Sequence, residues 1–154
     1  MYRVLLLITL LYPTITHADE LDKAIEKIRV DVSDNIGMLK LWGLTPATLD
    51  RIFKLAKPIC QVETNCKNVI NQDTKDYGYF QVNIYTLQNF IDTDKQLDMF
   101  MQDVELQVYV YVLWMSHKYN VFKGRYPKTW PCTWHSATPK FHRRYCNKLL
   151  PLIR

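Results

Sequence analysis

A mainly α, single-domain protein is predicted by three features of the sequence. Apolar residues recur at helical spacing over long stretches, Thr-Pro pairs mark helix starts at Thr45-Pro46 and Thr138-Pro139, and the chain has no internal repeat, long linker or second periodic block. Composition agrees with this. The 154 residues are 48% apolar, 13% aromatic and 23% charged with 4 glycines, which excludes collagen-like, low-complexity and disordered classes.

The first element is not part of the fold. Met1 to Ala18 has the form of a secretory signal: Arg3 beside the amino terminus, an apolar core from Val4 to Tyr12, then Pro13 and a polar stretch ending Thr16-His17-Ala18. Its apolar core is too short to span a bilayer, which needs roughly 20 residues. Removing 18 residues leaves 136, enough to bury a real core, and no membrane-spanning segment is expected in the mature chain.

From Asp19 to Val32, the stripe Leu21, Ala24, Ile25, Ile28 and Val32 predicts an amphipathic helix. Gly37 and Gly43 punctuate the segment after it. Thr45-Pro46 supplies a hydroxyl cap and a proline at the first helical position, and Leu49, Ile52, Phe53, Leu55 and Ala56 form the buried face of the next helix. That helix is expected to stop or kink at Lys57, because Pro58 lacks an amide proton and crowds the preceding turn. A short helical run from Ile59 to Thr64 then gives way to a polar loop, Asn65 to Asp76.

The segment Tyr77 to Asn83 is short and aromatic, and reads as a small β element, a turn or a tight helix entry. Asn83 is a cap for a helix through Phe90, and Asp94 or Asp103 for one reaching Tyr119. Within the latter, Val108 to Val112 has the β-propensity of a strand, but its length favours a buried helix. Gly124, Pro127 and Pro131 mark loops, and Thr138-Pro139 opens a last helix ending near Leu150.

Cysteine usage fits export. Cys60, Cys66, Cys132 and Cys146 all lie after the leader, and an even number in an exported chain implies two disulfides. Their spacing matches no C-x-x-C zinc pattern, so no metal site is expected. Three pairings are open, and nearness in sequence favours Cys60–Cys66 and Cys132–Cys146. Without Arg3 the chain has 19 basic and 15 acidic residues, a mild positive bias that suits an anionic polymer. The basic residues are scattered apart from Lys140, Arg143 and Arg144, and export argues against nucleic acid as a partner.

Glu63 is the first candidate for chemistry. Its helical neighbours Ile59, Cys60 and Val62 make an apolar setting that disfavours the charged carboxylate, and it sits just before a polar loop. Three segments then occur in order: Glu63-Thr64, Gly78-Tyr79-Phe80-Gln81-Val82-Asn83 and Trp134-His135-Ser136-Ala137-Thr138-Pro139. Over Leu44 to Ile153 the chain resembles the soluble lytic transglycosylase, or goose-lysozyme-like, family. That family has a catalytic Glu-Ser ending a helix, a Gly-Leu-Met-Gln-Ile/Val segment after a polar loop and a distal Ala-Tyr-Asn-type segment. The His-Ser-x-Thr-Pro run is similar to that of small exported members that accompany type IV and type III secretion, conjugation and pilus assembly.

The resemblance implies a lysozyme-like fold and cleavage of the β-1,4 bond between N-acetylmuramic acid and N-acetylglucosamine, with no cofactor. It implies Glu63 as the catalytic acid, Thr64 orienting its carboxyl, Gln81 and the backbone around Gly78 lining sugar subsites with Phe80 nearby, and Trp134 and His135 closing the cleft. Three departures stand out: Thr64 for serine, Tyr79-Phe80 for Leu-Met, and Trp134 for a tyrosine that positions the acid. Asp73 and Asp76 are the nearest sources of a second carboxylate, which a hydrolytic lysozyme would use; Asp before Tyr-Gly also favours a plain turn. The partners implied are peptidoglycan strands and components of a secretion, conjugation or pilus machine, in the periplasm of a Gram-negative bacterium.

Overall fold

Helices dominate the computed structural model of the protein, which describes residues 17–136 and 138–153. The predicted leader, apart from its last two residues, lies outside the described residues. In chain order the elements are α1 (His17–Ser33), α2 (Ile36–Leu41), α3 (Pro46–Thr64), β1 (Ile70–Asn71), β2 (Asp76–Tyr77), β3 (Val82–Asn83), α4 (Ile84–Leu87), α5 (Thr93–Gln102), α6 (Val104–Phe122) and α7 (Pro139–Leu149). Short 3-10 helices occupy Trp130–Trp134 and Leu150–Leu152. Among the described residues no helix is long and apolar enough to cross a membrane.

The stretch with strand-like propensity is the central helix. Residues Val104, Val108, Val110, Tyr111, Val112 and Met115 of α6 are all buried, so apolar residues surround the axis and no one-sided stripe marks the period. Burial against α1, α3 and the Trp130–Trp134 helix outweighs the β-propensity of its valines. Asp103 starts α6 by accepting a hydrogen bond from Leu106 N–H at 2.9 Å. Asp94 lies inside the first turn of α5, whose N-cap position is taken by Asp92.

Tyr111 ties α6 to α3. Its hydroxyl donates to the Ile52 carbonyl at 2.8 Å, and its ring stacks on Phe80 at 4.4 Å. Burial holds the phenol well above its ordinary pKa, so it remains a donor. Tyr111→Phe is expected to cost about 1 kcal/mol, one buried hydrogen bond with little change in volume; urea denaturation measures it.

Two corrections concern helix punctuation. Helix α3 does not stop at Lys57 but runs through Pro58 to Thr64. Pro58 is half-buried, and Lys54, whose carbonyl loses its amide partner, is an exposed residue, a position where a missing helix hydrogen bond costs less than in the core. Gly37 lies inside α2; Gly43, at φ +63°, is the residue that ends it. Thr45 caps α3 as expected, accepting from Thr48 N–H at 3.2 Å.

The polar stretch Asn65 to Asp76 is not wholly loop. It contributes β1 and the start of β2 to a three-stranded antiparallel sheet in the order β1-β2-β3, with Ile70 opposite Tyr77 and Tyr77 opposite Val82. Asn83 then caps α4 by accepting from Tyr85 N–H at 3.1 Å, but α4 ends at Leu87 rather than Phe90. Gly124 and Pro127 lie in turns as expected, whereas Pro131 lies not in a loop but in the buried 3-10 helix Trp130–Trp134. The two disulfides join Cys60 to Cys66 and Cys132 to Cys146.

Candidate active site

The end of α3 is locked on both sides of Glu63. Asn65 and Cys66 both take left-handed backbone, at φ 55° and 53°, and Cys66 N–H reaches back to the Cys60 carbonyl at 3.1 Å, a Schellman-type stop. The Cys60–Cys66 disulfide spans the same turn. Glu63 is thus held on a rigid terminus rather than on a mobile loop.

Its carboxyl is in an unusual electrical state. Burial raises its pKa from the ordinary 4.5 to about 7; the nearby Tyr145 hydroxyl and the Lys148 ammonium draw it down, while Asp76 pushes it up. Glu63 and Tyr145 influence one another without aligning as a hydrogen bond, for Glu63 Oε1 and Tyr145 Oη are both buried with no partner. Burial and the adjacent Glu63 push the Tyr145 phenol far up, so it stays protonated.

Glu63 opens into a cleft of about 540 Å³. The cleft is lined by Asn71, Thr74, Asp76, Gln81, Val82, Asn83 and Thr86 from the sheet, its turns and α4, and by Trp114, Lys118, Trp134 and His135. Lys118 Nζ lies 4.6 Å from the centre of the Trp114 ring, and partial burial lowers its pKa. The amide, hydroxyl and carboxyl groups of this lining suit the hydroxyl edges of a sugar, while His117 and Lys118 cover Trp114 and Trp134 is packed on Phe80 and Tyr111.

Of the residues singled out in the sequence, Glu63, Gln81, Trp134 and His135 line this cleft, and Thr64, Gly78 and Phe80 do not. The last three support it from beneath. Thr64 does not orient the carboxyl: its hydroxyl reaches the Tyr79 carbonyl at 3.0 Å and the Cys60 carbonyl at 3.3 Å, and accepts from Lys67 N–H at 3.1 Å. Phe80 is buried between Tyr111 and Trp134. The Trp134 indole N–H is engaged by the Phe80 carbonyl at 3.2 Å, so it braces the 78–81 turn rather than the acid.

The turn itself is built on backbone strain. Gly78 sits at φ +80° and Gln81 at φ 49°. The Gln81 amide nitrogen donates to the Gly78 carbonyl at 2.9 Å and the Val69 carbonyl at 3.1 Å, which fixes the side chain at the cleft lining. Asp76 lines the cleft and its Oδ1 accepts from Asn83 at 2.8 Å; Asp73 is not among the lining residues.

Sequence reasoning missed Tyr145. It lies on α7 in the stripe His142, Tyr145, Cys146 and Leu149, all buried, and such a stripe reads as core. Tyr145→Phe removes the hydroxyl that favours the Glu63 carboxylate, so the Glu63 pKa is expected to rise further; NMR titration of the labelled carboxyl measures this. Stability should change by less than about 1 kcal/mol, because the lost hydroxyl has no partner.

A larger pocket of about 770 Å³ lies between α1 and the α5–α6 region. It holds no buried unpartnered polar atom, and its Lys27 and Glu105 pair across it at 2.6 Å with both side chains exposed. Size alone does not make it the reactive site. Comparison of the chain with protein-family models, with curated proteins and with solved structures finds no match in any of the three.

Proposed function

We propose that this protein is a peptidoglycan lytic transglycosylase of lysozyme-like fold, exported to the periplasm, that opens the wall for a secretion, conjugation or pilus apparatus. The observation that carries the reading is Glu63, half-buried at the edge of a polar cleft, with Oε1 buried and without a hydrogen-bond partner and a pKa raised by burial to about 7. Two disulfides are compatible with an oxidising compartment.

In this reading Glu63 starts protonated and gives its proton to the glycosidic oxygen as the bond to the muramyl C1 breaks. The muramyl N-acetyl group stabilises the developing cation. The Glu63 carboxylate then takes the proton of the sugar's own 6-hydroxyl, whose oxygen closes a 1,6-anhydro ring, so the acid returns to its starting state. A pKa near 7 suits a group that must donate and then accept. The reaction so written requires no metal or cofactor.

A hydrolytic lysozyme is the second reading, and the position of Asp76 in the same cleft is what favours it. Its hydrogen bond from Asn83 suits a structural role equally. A catalytically idle wall-binding or scaffold protein is the third, and the retained acid argues against it. Mass spectrometry of muropeptides released from purified wall separates the three: anhydromuramic ends are expected, reducing muramic ends would mean hydrolysis, and no release would mean binding alone.

A further inference from the structure

The cleft continues past Glu63. A second concavity of about 340 Å³, where the end of α3 meets α7, shares Glu63 and His135 with the first and adds Phe141, Arg144, Tyr145 and Lys148. His135 stacks flat on Tyr145, 5.5 Å between ring centres, and so stands at the junction of the two. The acid lies on the boundary between both parts.

The two parts differ in charge. The first mixes Asp76 with Lys118, whereas the second has Arg144 and Lys148 and no acidic group except Glu63 itself. Arg144 and Lys148 lie four residues apart on α7, so they share one face of the helix. Both are exposed, and among the described residues neither has an ion-pair partner, while Lys27, Arg29, Lys54, Lys57 and Lys95 all do. Lys148 draws the Glu63 pKa down from a distance, but neither cation is in ion-pair contact with the Glu63 carboxyl.

The sequence explains why they are unpaired. After Glu105 the chain contains no aspartate or glutamate at all, yet it carries nine lysines and arginines; the first 105 residues hold all 15 acidic residues. No acid on α7 or beside it in sequence can satisfy these cations. A guanidinium fork and an ammonium on one face, open to water and adjacent to an apolar ring, fit a ligand carboxylate on a short peptide. Phe141, 45% exposed, offers the apolar contact.

We infer that the α7 concavity is a carboxylate-binding subsite for the acidic peptide borne by the muramic acid residue next to the bond that Glu63 protonates. The inference rests on the wall-glycan reading above. Arg144 takes a carboxylate in two-pronged fashion, Lys148 adds a second positive charge, and the peptide is thereby used to set the register of the glycan in the cleft.

Isothermal titration of the whole protein with N-acetylmuramyl-L-alanyl-D-glutamate and with its uncharged diamide tests the subsite. The acid is expected to bind about 10-fold tighter than the diamide, as charge-assisted hydrogen bonds are lost on amidation. The preference should shrink as salt rises from about 0.05 to about 0.5 M. Arg144→Gln with Lys148→Gln should bring the acid down to the affinity of the diamide, whose continued binding shows the variant is folded. Equal affinity for both ligands in the unaltered protein, a preference that survives the double variant, or no binding of either ligand overturns the subsite. Failure of the wall-glycan reading shows separately, as a lack of products from purified wall whatever the muramyl ligands do.

Discussion

Glu63→Gln is expected to stabilise the protein above neutral pH and, since the proposed mechanism uses this one group as both acid and base, to lower glycan cleavage by at least about 1,000-fold. The first effect comes from the protonation of the buried carboxyl. Glu63 has a pKa of about 7 in the folded chain against 4.5 ordinarily, so between these values the folded state holds a proton that the unfolded state has released. Stability therefore falls as pH rises through that window and the charged carboxylate must be accommodated in a buried site. The loss is complete above the folded value and absent below the ordinary one.

Glutamine fills the same space and never ionises. Its advantage over the unaltered protein should be near zero at about pH 4 and reach on the order of 2–3 kcal/mol at about pH 8, with some allowance for water in the cleft. Urea denaturation at the two pH values, with disulfides intact, measures the difference. A variant that is no more stable at the higher pH, or equally favoured at both, would contradict a buried carboxyl with a raised pKa. A variant that still releases anhydromuropeptides removes Glu63 from the chemistry.

Gly78→Ala should be the most damaging small substitution in the cleft's support. A Cβ built on Gly78 lies 2.2 Å from Gln107 Oε1 and 2.9 Å from Gln107 Cδ, and the backbone is at φ +80°. Gln107 is 1% exposed and cannot swing away. Its amide nitrogen donates to the Phe100 carbonyl at 3.0 Å, with Met101 and Asn68 oxygens at 3.3 Å, while its Oε1 accepts from Tyr79 N–H at 3.0 Å. Displacing it leaves a buried amide without an acceptor. Together with the unfavourable backbone, the cost should be about 3–4 kcal/mol.

Gly124→Ala is the matched control. No atom lies within 4 Å of its Cβ position and its φ is not in the left-handed region, so its effect should stay within about 0.5 kcal/mol. Equal losses at the two glycines in denaturant titrations would show that contact with Gln107 is not the cause. Because the 78–81 turn also presents Gln81 and the carbonyl that holds Trp134, Gly78→Ala is expected to perturb the proposed glycan site as well as the fold.

Local signals in the chain were legible where they act over one or two turns. The caps Thr45, Asn83 and Asp103, the proline start of α7 and the stripe of α1 all depend on residues within a few positions of each other. Pro58 was misleading for the opposite reason: whether a proline ends a helix depends on the surroundings of the residue whose carbonyl it orphans, and here that residue, Lys54, is exposed. Gln107, a polar residue in the first turn of an apolar helix, gave no local indication that it would anchor the Gly78–Tyr79 backbone.

The sequence by itself determined a helical chain, a helical run ending near Thr64, a glycine in the segment after the polar stretch that follows and cysteines close enough to pair locally. Tertiary structure alone decided what surrounds Glu63. Desolvation of a carboxyl is a sum over every group packed near it, and here those groups come from α3, the small sheet and α7. That is why Tyr145 rather than Trp134 faces the acid, why Thr64 is spent on backbone, and why the cations of α7 end beside the residue proposed to do the chemistry.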